Sequence, residues 1–287
     1  MGELLASVRP RDASAPAGSR WWWHLQLKKP FFGRFMKPWR WPAGVPEAGW
    51  ERHTVASPSH SRLQALLGST DVAPARGVVV CAHPMGLAAK GHWLPNGLAA
   101  ALRPAGFHVV SFDFNGFGES PSTNFDWPAD LVAVGRWAQR RFAGLPVHVV
   151  GASFGAMHAL NALAAGPGYP FERVVAEACP PTLPLFWRAY PLPHAVLQVA
   201  RLFAPAAERR LRPEAAIAAL PTGVRVLLVH SEGDLLTPAW HGDRLQAAAP
   251  AGARVERLVL ARAGHAQGMT EEPERYWPAV RQFLLSE

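Results

Sequence analysis

The sequence predicts an α/β protein built on a mostly parallel, doubly wound sheet of eight strands. Its 287 residues, of which 49% are hydrophobic, suffice for one sizeable core with appendages. From the third strand onward, short apolar runs alternate with helical patterns, which is typical of parallel βαβ units, whereas the first two strands are predicted to form an antiparallel hairpin. The predicted strands are residues 53–57, 63–68, 77–82, 107–112, 146–150, 173–178, 224–230 and 254–260. The predicted helices are residues 93–103, 128–142, 154–165, 238–248 and 273–285.

A serine stands at the apex of one predicted strand-turn-helix unit. The strand that ends at residue 150 is followed by Gly-Ala-Ser-Phe-Gly at residues 151–155, and an alanine-rich helical segment comes next. This Gly-x-Ser-x-Gly pattern indicates a nucleophile elbow, whose turn holds the serine in a strained conformation and leaves room only for glycine on either side. Ser153 is therefore the candidate nucleophile. The other interpretation is a small residue that closes a tight turn, as in nucleotide-binding α/β units.

Two further residues follow in the order that a nucleophile elbow requires. Asp234 lies in the loop after strand 224–230, and His265 lies after strand 254–260. A neutral histidine can take the serine proton only if a carboxylate holds its other ring nitrogen in the correct tautomer. Asp234 is the first choice for that carboxylate. Glu177, at the end of strand 173–178, is the alternative acid, and it could equally pair with an arginine or line a pocket.

These segments together resemble the α/β-hydrolase superfamily from residue 51 to the C-terminus. The resemblance rests on the elbow, on the Asp234 loop, and on Ala-Gly-His at residues 263–265. It also rests on His-Pro-Met-Gly at residues 83–86, where the family carries an oxyanion loop, and on Asp-Phe-Asn-Gly-Phe-Gly-Glu-Ser at residues 113–120. The resemblance implies the α/β-hydrolase fold and a catalytic triad of Ser153, Asp234 and His265.

The expected oxyanion hole departs from the family pattern at one position. Pro84 replaces the usual glycine, and proline has no N–H group to donate. The two donors are then expected to be the backbone amides of Met85 and Phe154. Two preorganised N–H groups are what a tetrahedral oxyanion needs.

The resemblance also implies a helical cap, inserted at residues 179–221 between core segments 51–178 and 222–287. Two short cap helices are predicted, at residues 193–203 and 213–220. An apolar cap suits an acyl or aromatic substrate, although the same side chains could serve only to dock the cap on the core. The candidate pocket residues are His83, Leu185, Phe186, Trp187 and Tyr190.

Residues 1–50 form a basic, tryptophan-rich arm that holds six of the twelve tryptophans. Residues 20–42 carry six basic side chains and no acidic one. Aromatic rings mixed with cations suit a lipid headgroup interface, so peripheral membrane contact through residues 20–42 is one interpretation. The other is an arm packed on the protein, at a dimer interface or at the pocket edge. Nucleic acid is not an expected partner, since no recognisable nucleic-acid module accompanies the net charge of +8.

Several other functions have little support in the sequence. The twelve histidines include no His-Glu-x-x-His motif and no tight grouping with cysteine, so neither a metal nor another cofactor is expected. Cys81 and Cys179 are expected to be buried thiols. No run is apolar enough for a bilayer span and the start does not resemble a secretory signal, so the expected location is cytoplasmic, with or without peripheral membrane contact.

The sequence therefore predicts a serine hydrolase that cleaves an ester or thioester through an acyl-enzyme intermediate. Its substrate would be a small molecule with an apolar acyl or aromatic group. An acyltransferase or a C–C bond hydrolase could use the same triad. A non-catalytic binding protein on the same fold is the alternative of another class.

Overall fold

The computed structural model describes residues 21–191, 194–195, 197–199 and 211–286. Its strands are β1 (Trp50–Ala56), β2 (Arg62–Gly68), β3 (Gly77–Ala82), β4 (Phe107–Phe112), β5 (Val147–Ala152), β6 (Arg173–Glu177), β7 (Arg225–Ser231) and β8 (Val255–Leu260). They form one sheet in the order β1-β2-β4-β3-β5-β6-β7-β8. β2 is antiparallel to both β1 and β4, and the remaining pairs are parallel. The predicted hairpin and mostly parallel sheet are confirmed.

Helices cover both faces of this sheet. They are α1 (Trp22–Phe32), α2 (Leu98–Leu102), α3 (Trp127–Arg141), α4 (Phe154–Asn161), α5 (Leu183–Phe186), α6 (Pro213–Ile217), α7 (Trp240–Ala248), α8 (Gly268–Glu271) and α9 (Pro273–Leu285). Short 3₁₀ helices add Ala89–Trp93, Ala162–Gly168 and Trp187–Ala189. Successive residues of β3 bury their side chains in two different apolar clusters, which also contain residues of α3 and α4 on one face and of α2 and α9 on the other. A central strand buried on both faces is what a doubly wound sheet requires.

Two predicted helices are shorter in the structure. The segment predicted at 93–103 becomes a 3₁₀ turn, a break and then α2, because Pro95 has no N–H and Gly97 adopts a φ of 88°. The helix predicted at 154–165 changes from α4 to a 3₁₀ helix after Asn161, and Pro167 lies near the end of that segment. Of the predicted cap helices, 213–220 corresponds to α6, and 193–203 falls largely outside the described residues.

The described part of the arm packs against the core of the sheet domain. α1 contains Pro30 yet runs for 11 residues, and it buries Lys28 and Phe32. Farther along, the ring of Trp39 is buried beside the Lys90 ammonium, 4.3 Å from it. Within the described residues, no helix is both long and apolar enough to cross a membrane.

Candidate functional site

Ser153 occupies a sharp turn between β5 and α4. Its φ of 50° and ψ of −109° lie outside the regions that serine ordinarily adopts. A Cβ atom on Gly151 would come within 2.7 Å of the backbone nitrogen of Ala156, and one on Gly155 would overlap the carbonyl of Ala82. The two glycines therefore let strand, turn and helix approach closely, and they leave the serine side chain at the carboxyl edge of the sheet.

Ser153, His265 and Asp234 form a continuous chain of hydrogen bonds. The Ser153 hydroxyl lies 2.7 Å from Nε2 of His265, and Nδ1 of His265 lies 2.8 Å from Oδ2 of Asp234. A carboxylate can only accept, so Nδ1 carries the proton and Nε2 is free to accept one from the serine. These three residues are distant in the chain, and the structure brings them together as the sequence analysis anticipates.

Asp234 is held as an ionised acceptor. Its Oδ1 accepts the backbone N–H groups of Leu236, at 2.8 Å, and Thr237, at 3.0 Å, and its Oδ2 accepts the Thr237 hydroxyl. Burial acts to raise the pKa of this carboxyl, but the hydrogen bonds and charge interaction with His265, and those from Thr237, outweigh burial and lower the pKa to about 2. The site therefore keeps a fixed negative charge behind the imidazole.

Glu177 lies close by but is not hydrogen-bonded to the imidazole. Its backbone carbonyl accepts the Ser153 N–H at 2.8 Å, and its side-chain Oε1 accepts the Gly268 N–H at 2.8 Å. Burial raises the pKa of the Glu177 carboxyl, although the Gly268 N–H acts to lower it. Of the two candidate acids, Asp234 is the one that is hydrogen-bonded to His265. Glu177 instead connects the serine turn to the segment after His265.

Two more carboxylates, which are not among the candidates from the sequence, hold the loop that carries His265. The buried side chain of Glu272 accepts the backbone N–H groups of residues 261, 262 and 263 at 3.1, 2.6 and 2.8 Å. Glu271 accepts the Gly264 N–H at 2.8 Å. The only sequence signal is the Glu-Glu-Pro at residues 271–273, where α9 begins. These bonds position the imidazole through its backbone.

The predicted oxyanion loop lies directly beside the serine. Met85 and Phe154 both line the cavity at Ser153, and Phe154 is the first residue of α4, so its N–H lacks an acceptor within the helix. His83 is fully buried: Nδ1 donates to the Pro84 carbonyl at 2.7 Å, and Nε2 accepts the Phe114 N–H at 3.2 Å. Burial and the charge of Lys90 lower the pKa of His83 to about 4, although the hydrogen bond to the Pro84 carbonyl acts to raise it. His83 is thus a neutral structural group rather than a lining residue of this cavity.

The Asp-x-x-Gly-x-Gly-x-Ser segment is a structural turn bound to the segment that follows the predicted oxyanion loop. The buried ammonium of Lys90 lies 2.5 Å from Asp113 and 2.6 Å from Glu119. Gly118 has a φ of 53°, and a Cβ atom there would collide with the Asp113 carboxylate. The Ser120 hydroxyl closes the turn by donating to the Asp113 carbonyl at 2.8 Å. The motif therefore holds this turn against the segment that carries Lys90, and it does not supply a reacting group.

A small apolar cavity opens at Ser153. Among the described residues, its walls are Phe32, Met85, Ser153, Phe154, Met157, Pro180, Leu183, Phe186 and Trp187. Of the candidate pocket residues, Phe186 and Trp187 therefore line this cavity. Leu185 lines a separate polar pocket with Thr182 and Glu214, and Tyr190 is 40% exposed with its ring against that of Trp187.

The N-terminal arm supplies one wall of this cavity through Phe32, which agrees with the interpretation of an arm packed at the pocket edge. The ring of Phe32 meets those of Phe117, Trp127 and Phe154 at centroid distances between 5.3 and 6.2 Å. One residue earlier, Phe31 contacts Trp187 at 5.9 Å. The arm is distinguished by its tryptophans, but no local pattern in the sequence distinguishes Phe32 from Phe31 or Phe35. Its position depends on how α1 docks.

Comparisons with known proteins bear on the family and the fold of this chain. A model of the alpha/beta hydrolase family matches residues 78–279. Among solved structures, the esterase Pf2001 of Pyrococcus furiosus is 17% identical, with a TM-score of 0.69 over 86% of this chain and 95% of its own. Est1E of Butyrivibrio proteoclasticus, solved with ferulic acid, is 15% identical, with a TM-score of 0.60 over 81% of this chain and 98% of its own. The esterase domain of a Rhodothermus marinus protein is 18% identical, with a TM-score of 0.57 over 82% of this chain and 99% of that domain.

At these identities the solved structures establish likeness of fold. Among curated protein sequences, none matches the chain significantly. In the part of the chain that the structure describes, no group of three or more His, Cys, Asp or Glu side chains is placed to hold a metal ion.

The family model spans most of the chain, and the eight-stranded sheet has the α/β-hydrolase fold. The chain belongs to the alpha/beta hydrolase family.

Proposed function

We propose that this protein is a serine esterase or thioesterase that acts on an apolar acyl or aromatic substrate through an acyl-enzyme intermediate. The observation that carries the proposal is the hydrogen-bond chain from Ser153 through His265 to Asp234, with distances of 2.7 and 2.8 Å, beneath an apolar cavity. Nucleophile, base and orienting acid within hydrogen-bond reach are what nucleophilic acyl transfer requires. A purely structural serine would need no such partners.

In the proposed reaction, the Ser153 oxygen attacks the substrate carbonyl while Nε2 of His265 takes its proton. His265 then protonates the departing alcohol or thiol, which leaves the acyl group on Ser153. Water, deprotonated by the same nitrogen, attacks the acyl-enzyme and releases the acid, and the proton returns to Ser153. Asp234 holds the imidazole in its tautomer and stabilises the imidazolium formed in each half-reaction.

The backbone N–H groups of Met85 and Phe154 are the proposed donors to the oxyanion. Both residues line the cavity at Ser153. The N-terminus of α4 adds the positive end of its dipole at the position where negative charge develops. Removal of one donor from such a pair typically costs a factor of about 10²–10³ in rate.

The cavity lining supports an apolar acyl or aromatic group as the part of the substrate nearest the serine. Apart from Ser153, every described wall residue is apolar, and four of them are the aromatic residues Phe32, Phe154, Phe186 and Trp187. Pockets of this kind gain their affinity from burial of apolar surface and their orientation from a few polar groups.

Labelling with a fluorophosphonate probe tests the chemistry, and turnover of p-nitrophenyl esters tests the substrate class. We expect the probe to modify Ser153, and Ser153→Ala to lose both labelling and turnover while keeping its melting temperature. Ser111, buried in β4, provides a matched control, because Ser111→Ala should still be labelled. Modification at another serine, or an active Ser153→Ala protein, would exclude this mechanism. A folded protein that is neither labelled nor active would instead be a binding protein.

A further inference from the structure

We propose that the outer face of α1 binds an anionic lipid surface beside the mouth of the cavity. We define this outer face as Trp22, Trp23 and Leu27, whose side chains are 51%, 70% and 61% exposed. Trp23 and Leu27 lie four residues apart and share one side of the helix. Trp22 and Trp23 meet edge to face with centroids 4.5 Å apart. Large apolar side chains grouped in this way on an exposed helix mark an interaction surface.

The opposite face of α1 is locked onto the protein, so the helix cannot roll to bury the tryptophans. The Lys28 ammonium is buried and lies 2.5 Å from Oδ1 of Asn115, 87 residues away in the chain. Phe32, one turn later, is buried among the aromatic residues of the cavity wall. Two inward side chains on one face therefore hold Trp22 and Trp23 outward.

Charge around the outer face favours an anionic surface. Lys29, Arg34, Lys37 and Arg40 are all exposed, and residues 21–46 contain no aspartate or glutamate. Each cation near an anionic bilayer contributes about 1 kcal/mol, whereas indole rings prefer the headgroup boundary. Lys29 belongs to α1 itself, and the other three cations follow within eight residues of its end. Because the rings project from a convex helix rather than into a groove, they suit a lipid boundary better than a stacked nucleic acid strand.

The outer face is also close to the cavity. Phe31 follows Leu27 by about one helical turn, roughly 6 Å along the axis, and its ring contacts that of Trp187 in the cavity wall. Tyr190, which is 40% exposed, also contacts the ring of Trp187. A lipid surface bound to α1 would therefore lie next to the entrance and could supply an acyl substrate directly. The binding itself does not depend on the proposed hydrolysis.

Co-sedimentation of the full chain with vesicles tests the proposal. We expect the protein to pellet with phosphatidylcholine vesicles that contain phosphatidylserine, and much less with phosphatidylcholine alone. Trp22→Ser with Trp23→Ser should weaken the binding that persists in high salt. Lys29→Gln, Arg34→Gln and Lys37→Gln together should weaken the low-salt binding by about fivefold for each charge removed. Because all of these side chains are exposed, the variants should keep the wild-type melting temperature.

Matched controls lie elsewhere on the surface. Val72 is an exposed apolar residue in the loop before β3, at the opposite edge of the sheet from Ser153, and Val72→Ser should leave binding unchanged. Arg62→Gln, Arg140→Gln and Arg281→Gln together remove the same charge outside the arm and should have a smaller effect than the arm variant.

Three outcomes would overturn the proposal. The first is a wild-type protein that does not bind anionic vesicles, and the second is a pair of arm variants that bind as tightly as the controls do. The third is a concentration-dependent dimer, seen by sedimentation velocity, that Trp22→Ser with Trp23→Ser dissolves while no vesicle binding occurs. That result would assign the outer face to a second copy of the chain.

Discussion

The ammonium of Lys28 in helix α1 lies 2.5 Å from the side-chain oxygen of Asn115 in the turn after β4. Asn115 in turn donates to the buried carboxylate of Asp130 at 2.7 Å, and the indole ring of Trp127 lies 4.9 Å from the same ammonium. This buried polar contact connects the N-terminal arm to the core beside Trp127, whose ring also contacts that of Phe32. It explains how a segment rich in proline and tryptophan becomes a wall of the cavity.

We expect Lys28 to make the stability of the protein depend on pH. Burial lowers the pKa of this lysine from 10.5 to about 7, while the charge of Asp130 acts to raise it. Between pH 7 and 10.5 the unfolded chain therefore binds more protons at this side chain than the folded one. The resulting contribution of Lys28 to the free energy of unfolding is present in full above 10.5, the pKa in the unfolded chain. It is lost as the pH falls through about 7, the pKa in the folded protein.

Urea unfolding of the wild type and of Lys28→Met at several pH values measures this effect. The free energy of unfolding of the wild type, relative to the variant, should rise with pH across the window by at most about 1.4 kcal/mol per pH unit. The variant Lys29→Met changes the exposed neighbour and should keep the wild-type slope. A constant difference between wild type and Lys28→Met would mean that the lysine is not perturbed.

We expect Asp234→Asn to reduce kcat far more than Glu177→Gln does. The asparagine leaves the imidazole without a carboxylate acceptor at Nδ1, and comparable changes cost about 10⁴ in kcat. Glu177→Gln keeps an oxygen that can accept the Gly268 N–H, so most of the activity should remain. Steady-state kinetics on one soluble ester would rank the two variants. The reverse ranking would assign the acid to Glu177.

We expect Phe32→Ala to shift substrate preference toward longer acyl chains. Phe32 closes the cavity from the arm side, so a smaller side chain should lengthen the space beyond Ser153. A series of p-nitrophenyl esters of increasing chain length measures the shift in kcat/KM. Leu27→Ala alters an exposed residue of the same helix and should leave the profile unchanged. If Phe32→Ala proves too unstable, the milder Phe32→Leu should show a smaller shift in the same direction.

We expect Glu272→Gln to impair positioning of His265. Glu272 accepts three successive N–H groups, and a neutral amide oxygen replaces the charge that strengthens them. The loss should be about 1.5–3 kcal/mol in the free energy of unfolding. Catalysis should fall in kcat with little change in KM, because the cavity walls are untouched.

Glu274→Gln removes a nearby surface charge that pairs with Arg262, and such exposed pairs contribute little. It should therefore leave both stability and kcat close to wild type. Equal effects of Glu272→Gln and Glu274→Gln would show that Glu272 does not position the loop.

The amino-acid sequence by itself determined the sheet and its turns. The bounds predicted for β3 and β4 agree with the structure, and those of the other strands differ by no more than three residues at either end. Strand periodicity and the chemistry of glycine and proline act over a few neighbouring residues, so they can be read locally. For the same reason, the serine turn is evident from the glycines at positions 151 and 155.

Contacts between distant segments were decided only by the tertiary structure. The choice between Asp234 and Glu177 depends on which carboxylate the fold brings to an imidazole more than 30 residues further along. Both side chains lie at the carboxyl ends of strands of the same sheet, so the strand pattern alone does not separate them. The burial of Lys28 depends on a partner 87 residues away. The place of Phe32 in the cavity depends on the distant rings of Phe117, Trp127 and Phe154. Packing energy and desolvation are properties of the assembled core, so a local pattern cannot carry them.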